Sequence, residues 1–303
     1  MFIFYIVILM LIITEKTEKI IAENTNSNYT KSKAKKFLLF LKRIHNELFN
    51  HEVIVNNTYT KQWSKGNLSK DTVTKFLIQF SVFSNQFLVA QLQKVINSNT
   101  LESARESKEI LANEIGVIFN SKKRKLDNEN DNKNDNENNN ETTDPKLVST
   151  TGTVDGGTYR FAAAHFEWIH KIAQKLGLEY KDIGRRIHGY NSTLYFCDKL
   201  IELYGGDNYQ RSIAVSYAIE NWAAAGFWKE LIAGLRDYNL SADTKLPLSF
   251  FTWHDKIEDQ HAEHTQEELE EIYFTEEIDE NKFIKNGNEM LDALLIFWNG
   301  LHK

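Results

Sequence analysis

Apolar residues recur at helical spacing along most of the chain, from about residue 34 to the end. Apolar side chains three or four positions apart share one face of an α-helix, whereas strands alternate apolar and polar residues. Alternating stretches with turn residues are scarce, and proline occurs only at positions 145 and 247. The pattern therefore predicts an all-α protein. Its helices are predicted near residues 34–49, 69–97, 101–119, 161–178, 180–188, 194–203, 209–238, 248–264, 265–275 and 280–302.

Two segments depart from this pattern. Residues 2–13 form an apolar run, too short to span a bilayer comfortably and without the basic start of a signal peptide, and a polar leader follows to residue 36. Residues 121–157 are dominated by Asn, Asp, Glu and Lys and have no apolar period. They are predicted to be a disordered insertion in a single helical domain that covers residues 37–303.

The composition of the chain bears on its compartment and its partners. The only cysteine, Cys197, excludes an internal disulfide and suits a reducing compartment. We therefore expect a cytoplasmic protein, with secretion or a membrane tether through residues 2–13 as the alternative. The net charge is −6 and no basic face is interleaved with aromatic residues, which predicts no nucleic-acid partner. A homodimer is left open.

The clearest chemistry lies in one stretch, where His254, Glu258 and His261 stand at positions i, i+4 and i+7. On an α-helix these side chains fall within about 60° of one another, on one face. Imidazole nitrogen and carboxylate oxygen are ligands of transition metals. The spacing favours a metal site over a polar helix surface with incidental histidines only if further ligands come from other helices.

Three further residues meet that condition. Glu114, His165 and Glu220 each stand in an otherwise apolar helical stretch. A carboxylate is costly to bury unless it is paired or bound to a metal. Taken singly, each glutamate could face water and the histidine could be an ordinary core residue. Together with the histidine-rich stretch, they predict a buried site built from several helices.

These residues resemble the haem-oxygenase-like diiron oxidases and oxygenases. That family combines a Glu, a His shortly after it, a second Glu and a helix with His-x3-Asp/Glu-x2-His. The matching stretches are Asn113–Gly116, His165–Leu178, Ala218–Glu220, His254–His261 and Leu295–Leu301. Two features differ from the family pattern: Glu258 stands where Asp is usual, and the long insertion separates Glu114 from His165.

The resemblance implies a haem-oxygenase-like multi-helical bundle and a metal site. It implies that Glu114, His165, Glu220, His254, Glu258 and His261 bind two iron ions, or manganese or a mixed pair. It also implies an O2-dependent oxidation of a small organic substrate, in the class of amines, amino acids or fatty acids.

Two alternatives stay open at this stage. A ferritin-like diiron site would use Glu167-x-x-His170 and Glu258-x-x-His261 together with two single glutamates. Glu167 and His170 lie on the opposite face of their predicted helix from His165, so the two kinds of site use different faces. A thiaminase-like protein of the same fold would need no metal and would use a cysteine nucleophile. Cys197 lies one helix before the position expected for that nucleophile and reads better as a core residue.

Three neighbouring residues have weaker assignments. Tyr217 and Trp222 flank Glu220 and are candidates for the pocket wall, although core packing is the commoner role for such aromatics. His264 follows the ligand triplet, but we expect it outside the site. The next residues, Thr265 to Glu268, resemble a capping box, which predicts a bend after His264.

Overall fold

A computed structural model describes residues 30–119, 149–150, 157–160 and 164–302. Within these ranges the chain forms eleven α-helices and three short strands. The helices are α1 (Lys31–Glu47), α2 (Glu52–Val55), α3 (Thr58–Trp63), α4 (Lys70–Ile96), α5 (Leu101–Glu114), α6 (His165–Leu176), α7 (Asn191–Leu203), α8 (Tyr209–Ala223), α9 (Phe227–Ser241), α10 (Ser249–Thr275) and α11 (Glu280–Gly300). The predicted all-α class is confirmed.

The three strands form one small antiparallel sheet. They are β1 (Val117–Phe119), β2 (Ser149–Thr150) and β3 (Gly157–Arg160), with β3 in the middle. The predicted insertion 121–157 lies outside the described residues except for β2 and the first residue of β3. The apolar run 2–13 also lies outside them. No helix in the described ranges is long and apolar enough to cross a membrane.

One predicted helix is two helices in the structure. The pattern over 209–238 predicts one helix, but the chain forms α8 and α9, separated at residues 224–226. Gly226 takes a left-handed conformation with φ +99° and ψ 6°, which glycine adopts at little cost. The apolar pattern continues across the break because both helices are buried in the same core.

The predicted bend after His264 is also wrong, since α10 runs without interruption from Ser249 to Thr275. Thr265 does not cap a new helix, because its hydroxyl donates to the backbone carbonyl of Ala262 at 3.0 Å. Glu268 does not complete a capping box either. Its carboxylate accepts a hydrogen bond from Ser103 and lies 3.5 Å from Lys94 Nζ.

Two further boundaries differ from the predictions. The helix predicted to reach residue 119 ends at Glu114, where Gly116 (φ +104°) turns the chain into β1. The segment 180–188 forms two short 3-10 helices, with Gly184 (φ +70°) between them. Carbonyl and amide groups of Gly184 bond to Asn85 and Ser81 of α4, which holds this turn against the bundle.

Helix α8 lies at the centre of the bundle. It packs between α10 and α11, and twelve of its fifteen residues are buried. Apart from Glu220, its buried residues are aliphatic, aromatic or small, as expected for a helix inside a bundle. Helix α4 packs against α5, α6 and α7 on the other side of the site. The carboxylate of Glu220 on α8 is therefore placed in the protein core.

Candidate metal centre

The first ligand group joins three helices. Glu114 is the last residue of α5, His165 is the first residue of α6, and His254 lies in α10. One ligand atom from each lies within 4.8 Å of the other two. Glu114 Oε2 is 2.9 Å from His165 Nδ1, and Glu114 Oε1 is 3.9 Å from His254 Nε2. The two imidazole rings lie 4.6 Å apart, centre to centre.

The second ligand group consists of Glu220 on α8 with Glu258 and His261 on α10. Their ligand atoms also lie within 4.8 Å of one another. His261 Nδ1 is 3.5 Å from Glu220 Oε2 and 3.4 Å from Glu258 Oε2. All three side chains are less than a tenth exposed. The group therefore presents two carboxylates and one imidazole to one buried point.

Helix α10 connects the two groups. His254 belongs to the first, and Glu258 and His261 belong to the second. His254 and Glu258 are about one turn apart, which is roughly 5 to 6 Å along the axis. The two groups are thus neighbours along one helix face, as the spacing in the sequence predicts.

The ring of His254 is fixed by the backbone of its own helix. His254 Nδ1 lies 2.7 Å from the carbonyl oxygen of Phe250, one turn earlier. In the tautomer in which Nδ1–H donates to this carbonyl, Nε2 is left with a free lone pair on the side of Glu114. The ring also stacks on Trp228, with centres 4.7 Å apart and planes at 28°. These contacts hold His254 in the orientation that a metal ligand needs.

The electrostatics of the first group favour a charged carboxylate. Burial would raise the pKa of the Glu114 carboxyl, but His165 and His254 outweigh burial and hold that pKa well below its ordinary range. Burial lowers the pKa of His254, and the hydrogen bond and charge of Glu114 reverse this, so the pKa of His254 is raised.

The second group follows the same logic. Burial lowers the pKa of His261, but its contacts with Glu220 and Glu258 dominate and raise that pKa well above the ordinary range. In the protein without metal, the neighbouring carboxylates therefore favour protonation of His254 and His261. A metal ion takes the place of these protons, because it binds the neutral imidazole.

Two buried ligand atoms lack a hydrogen-bond partner, which tests whether the residues fit a metal. His165 Nδ1 and Glu258 Oε2 each face another ligand of their group and are buried without a partner that satisfies hydrogen-bond geometry. His165 Nδ1 is close to Glu114, yet the contact is not aligned as a hydrogen bond. Lone pairs that converge on one point instead of on each other are what a metal site requires. The residues fit divalent transition-metal ions.

A second layer of polar side chains lies behind Glu220. The hydroxyl of Tyr204 donates to Gln91 Oε1 and lies 3.4 Å from Glu220 Oε1. Gln91 in turn donates to the backbone carbonyl of Ser107. Burial raises the pKa of Tyr204 well above its ordinary value, so the hydroxyl keeps its proton. Tyr204 and Gln91 thus help to orient the Glu220 carboxylate.

A cavity of about 60 Å³ opens onto both ligand groups. Besides Glu114, Glu220, His254, Glu258 and His261, its wall is mainly aromatic and aliphatic. The other lining residues are Phe80, Phe83, Ser84, Phe87, Ile219, Trp222, Ala223, Trp228 and Phe250. A cavity of this size holds a few water molecules or part of a small substrate.

All six residues predicted from the sequence therefore lie in these two groups. The residues of the ferritin-like alternative do not come together in this way. Glu167 is exposed, and His170 packs edge-on against Tyr180. Neither belongs to a potential metal group among the described residues. His264 also lies outside both groups, as expected.

The structure also separates the aromatic candidates. Trp222 lines the cavity, whereas Tyr217 is turned away and donates to Gln266 at 2.7 Å. Sequence analysis missed the phenylalanines of α4 (Phe80, Phe83 and Phe87) and Trp228 of α9. The phenylalanines share one face at positions i, i+3 and i+7, but such a stripe is typical of any core helix.

No family model matches this sequence, and no curated protein matches it. Several solved structures share its fold, and two of them are described here. A CADD-like protein of unknown function from Nostoc punctiforme gives a TM-score of 0.57 at 15% identity, over 88% of this chain and 97% of that chain. A TenA homolog from Pseudomonas syringae pathovar tomato gives 0.55 at 10% identity, over 91% of this chain and 97% of that chain.

The chain shares the helical fold of these two structures. At these identities the likeness concerns the fold alone, and function must be argued from the site.

Proposed function

We propose that this protein is a non-haem diiron oxidoreductase that uses O2 to oxidise a small organic substrate. One observation carries the proposal: two adjacent, buried groups of carboxylate and imidazole ligands share one helix and open onto one cavity. Glu114, His165 and His254 would hold one metal ion, and Glu220, Glu258 and His261 the other. Iron, manganese or a mixed pair suits this ligand set.

The bound metals would supply O2 activation and electron transfer. The chain's own residues have other tasks. Phe250 fixes His254 through its carbonyl, and Tyr204 supports Glu220 from behind. The aromatic wall of the cavity gives an apolar surface beside the ligand groups, against which the substrate would lie.

The charge balance suits this chemistry. Two divalent ions carry four positive charges in total, and the three carboxylates supply three negative charges. The neutral imidazoles add no charge. The centre keeps a small positive charge, which favours an anionic ligand. The coordination shell contributed by six protein ligands also leaves positions for O2 and substrate.

Metal-independent, thiaminase-like chemistry has less support from the site. It would require an accessible cysteine, and Cys197 is fully buried on α7, outside the wall of the cavity. Burial raises the pKa of its thiol to about 12, so the reactive thiolate does not form near neutral pH.

The decisive experiment is metal analysis of the full-length protein purified under nitrogen. We expect about two irons per chain after anaerobic loading, because each three-residue group holds one ion. The variants His254→Ala and His261→Ala should each lose iron. His170→Ala is the matched control, because it removes an imidazole outside both groups and should retain the full iron content.

The activity test follows on the same samples. Iron-loaded protein with a reductant should consume O2, and the two ligand variants should not. Tight iron binding that survives the loss of both His254 and His261 would contradict the proposal.

A further inference from the structure

Every tryptophan of this chain belongs to one of two series of aromatic rings that start at ligand histidines, and this inference rests on the function proposed above. We propose that the tryptophans form a relay for single electrons. An oxidising equivalent generated at the ligand groups travels along the rings to the surface. There a small enediol or hydroquinone donor replaces the missing electron, without entering the cavity beside the ligand groups.

The shorter series starts at His165. The ring of Trp168 stacks on this imidazole, with centres 5.2 Å apart and planes at 26°. Trp253 follows at 6.0 Å from Trp168, and it also lies 6.5 Å from His165. Both tryptophans are part-exposed. The first ligand group is therefore connected to the surface by indole rings alone.

The longer series starts at His254, on which Trp228 stacks with centres 4.7 Å apart. Phe227 continues the series, since its ring lies 4.4 Å from Trp228 and 4.3 Å from Trp222. Phe227 is also 5.6 Å from Trp298 of α11. The rings of Trp222, Phe227, Trp228 and Trp298 all belong to residues less than a tenth exposed. Each step of this series therefore passes between neighbouring rings inside the core.

The longer series ends at a second cavity, of about 160 Å³. Trp298 lies 5.7 Å from Tyr59, and Tyr59 lies 6.0 Å from Trp63. Tyr59 and Trp63 both line this second cavity. Its other lining residues are Gln62, Leu68, Asp71, Thr72, Lys75, Leu301 and His302. Several of these are polar and exposed, so the second cavity is accessible to a small donor that carries hydroxyl groups.

The distribution of tryptophan distinguishes the two series from ordinary core packing. Indole and phenol rings lose one electron far more readily than the ring of phenylalanine does. All six tryptophans lie in the two series, although the chain also has 19 phenylalanines and 12 tyrosines with which a core can be packed. Elsewhere in the core, as around Tyr273, phenylalanine and tyrosine pack on one another instead. Residues that can be oxidised are thus placed where the ligand histidines are.

The indole protons stay on their rings. The indole N–H groups of Trp222, Trp228, Trp253 and Trp298 are buried without a hydrogen-bond acceptor. An indole N–H is a donor only, and a ring that loses an electron can lose this proton only to a base. Because these rings have none, each stays a radical cation and regains its starting state by taking one electron. Electrons can therefore pass from ring to ring without proton transfer.

The external donor closes the electron balance. Trp168 or Trp228 gives one electron to the metal pair that O2 has oxidised, and the next indole along the series gives one electron to that ring. The last indole takes one electron from the donor, which releases one proton to solvent and is left oxidised by one electron. No bond of the protein is made or broken, and every ring returns to its starting state.

The test is rapid-freeze EPR spectroscopy of the iron-loaded, full-length protein after mixing with O2 in the absence of substrate. We expect an organic radical whose spectrum narrows when the protein is produced with ring-deuterated tryptophan. Prolonged exposure to O2 should add oxygen to tryptophans of the two series, which peptide mass spectrometry locates. Protein that consumes O2 but shows neither a tryptophan radical nor oxidised tryptophan would overturn the inference.

Variants locate the relay. Trp168→Phe combined with Trp228→Phe keeps an aromatic ring beside each ligand histidine but removes the two indoles that start the series. The yield of the tryptophan radical should therefore fall sharply. Tyr273→Phe is the matched control, because Tyr273 packs outside both series, and it should keep the radical. An unchanged yield in the double variant would refute the relay.

Ascorbate, an enediol, is the probe for the donor. It should shorten the lifetime of the radical and protect the tryptophans from oxygen addition. A lifetime that does not depend on the ascorbate concentration would refute the donor step. Iron content and O2 consumption, measured on every sample, separate the two proposals. Full iron content and O2 consumption without a tryptophan radical or oxidised tryptophan would refute the relay alone. Protein that takes up no iron would refute the proposed function, and the relay with it.

Discussion

Single residues show how the chain prepares ligands before a metal is present. The backbone carbonyl of Phe250 and the ring of Trp228 fix His254, whereas His261 has only carboxylates at its Nδ1 and no partner at Nε2. The two imidazoles on α10 are therefore held by different means. His254 is oriented by protein contacts, and His261 is the residue that a bound ion would orient.

Cys197 gives a prediction at the scale of one residue. Burial raises the pKa of its thiol to about 12, because the thiolate would lose its hydration. At pH 8 the group is a neutral, inaccessible thiol, and the thiolate fraction grows only as the pH approaches that pKa. We expect the native protein to resist iodoacetamide at pH 8 for hours. Mass spectrometry of the intact chain would measure this.

Urea-denatured protein is the control for that experiment and should be alkylated once per chain, since Cys197 is the only cysteine. Rapid labelling of the native protein together with loss of a hydrolytic activity would instead support the thiaminase-like alternative.

At the scale of elements, α10 shows what local sequence can and cannot predict. Its ligand face followed directly from the spacing of His254, Glu258 and His261. Its continuation past His264 did not, because the capping-box pattern at Thr265 is correct locally but is overruled by tertiary contacts. Glu268 is drawn to Lys94 and Ser103, which are far away in the sequence.

Helix α8 also has one feature that its sequence predicts and one that it does not. Glu220 could be identified because a carboxylate stands out in an apolar helix. The break at Gly226 could not, since glycine after several alanines fits a continuing helix as well as a left-handed turn. The cavity wall was also beyond prediction, because Phe80 and Trp228 meet only through the packing of α4 and α9.

The buried pair of Lys94 on α4 and Glu268 on α10 gives a prediction at this scale. Lys94 Nζ lies 3.5 Å from Glu268 and donates to Ser216 of α8 at 2.8 Å, so it joins three helices. Both side chains of the pair are less than a tenth exposed. Lys94→Met would leave the Glu268 carboxylate buried without a cation. We expect a loss of about 3 to 5 kcal/mol in the free energy of unfolding, measured with urea.

Two variants control this measurement. Lys75→Met removes an exposed cation paired with Asp71 within α4 and should change stability by less than about 0.5 kcal/mol. Lys94→Met combined with Glu268→Met removes both charges and should lose less than the single variant. A loss below about 1 kcal/mol for Lys94→Met would show that Glu268 finds another partner or reaches water.

At the scale of the whole molecule, the two ligand groups draw on four helices: α5, α6, α8 and α10. The ends of α5 and α6 meet at Glu114 and His165, the point where the chain leaves the bundle for β1 and returns from β3. Metal bound by the first group would tie these two helix ends to α10. Occupancy of the centre should therefore strengthen the whole bundle as well as the site.

This coupling gives a prediction for thermal stability. An ion that binds only the folded chain stabilises it by about 2.7 kcal/mol per site at one hundred times its Kd. For a domain of this size, each kcal/mol raises Tm by roughly 2 to 4 °C. We expect iron-loaded protein to melt at least about 5 °C above chelator-treated protein, measured by calorimetry under nitrogen.

The double variant His254→Ala with His261→Ala should lose this shift, whereas His170→Ala should keep it. An equal shift in the double variant would mean that the stabilising ion binds elsewhere on the protein and not at the two ligand groups.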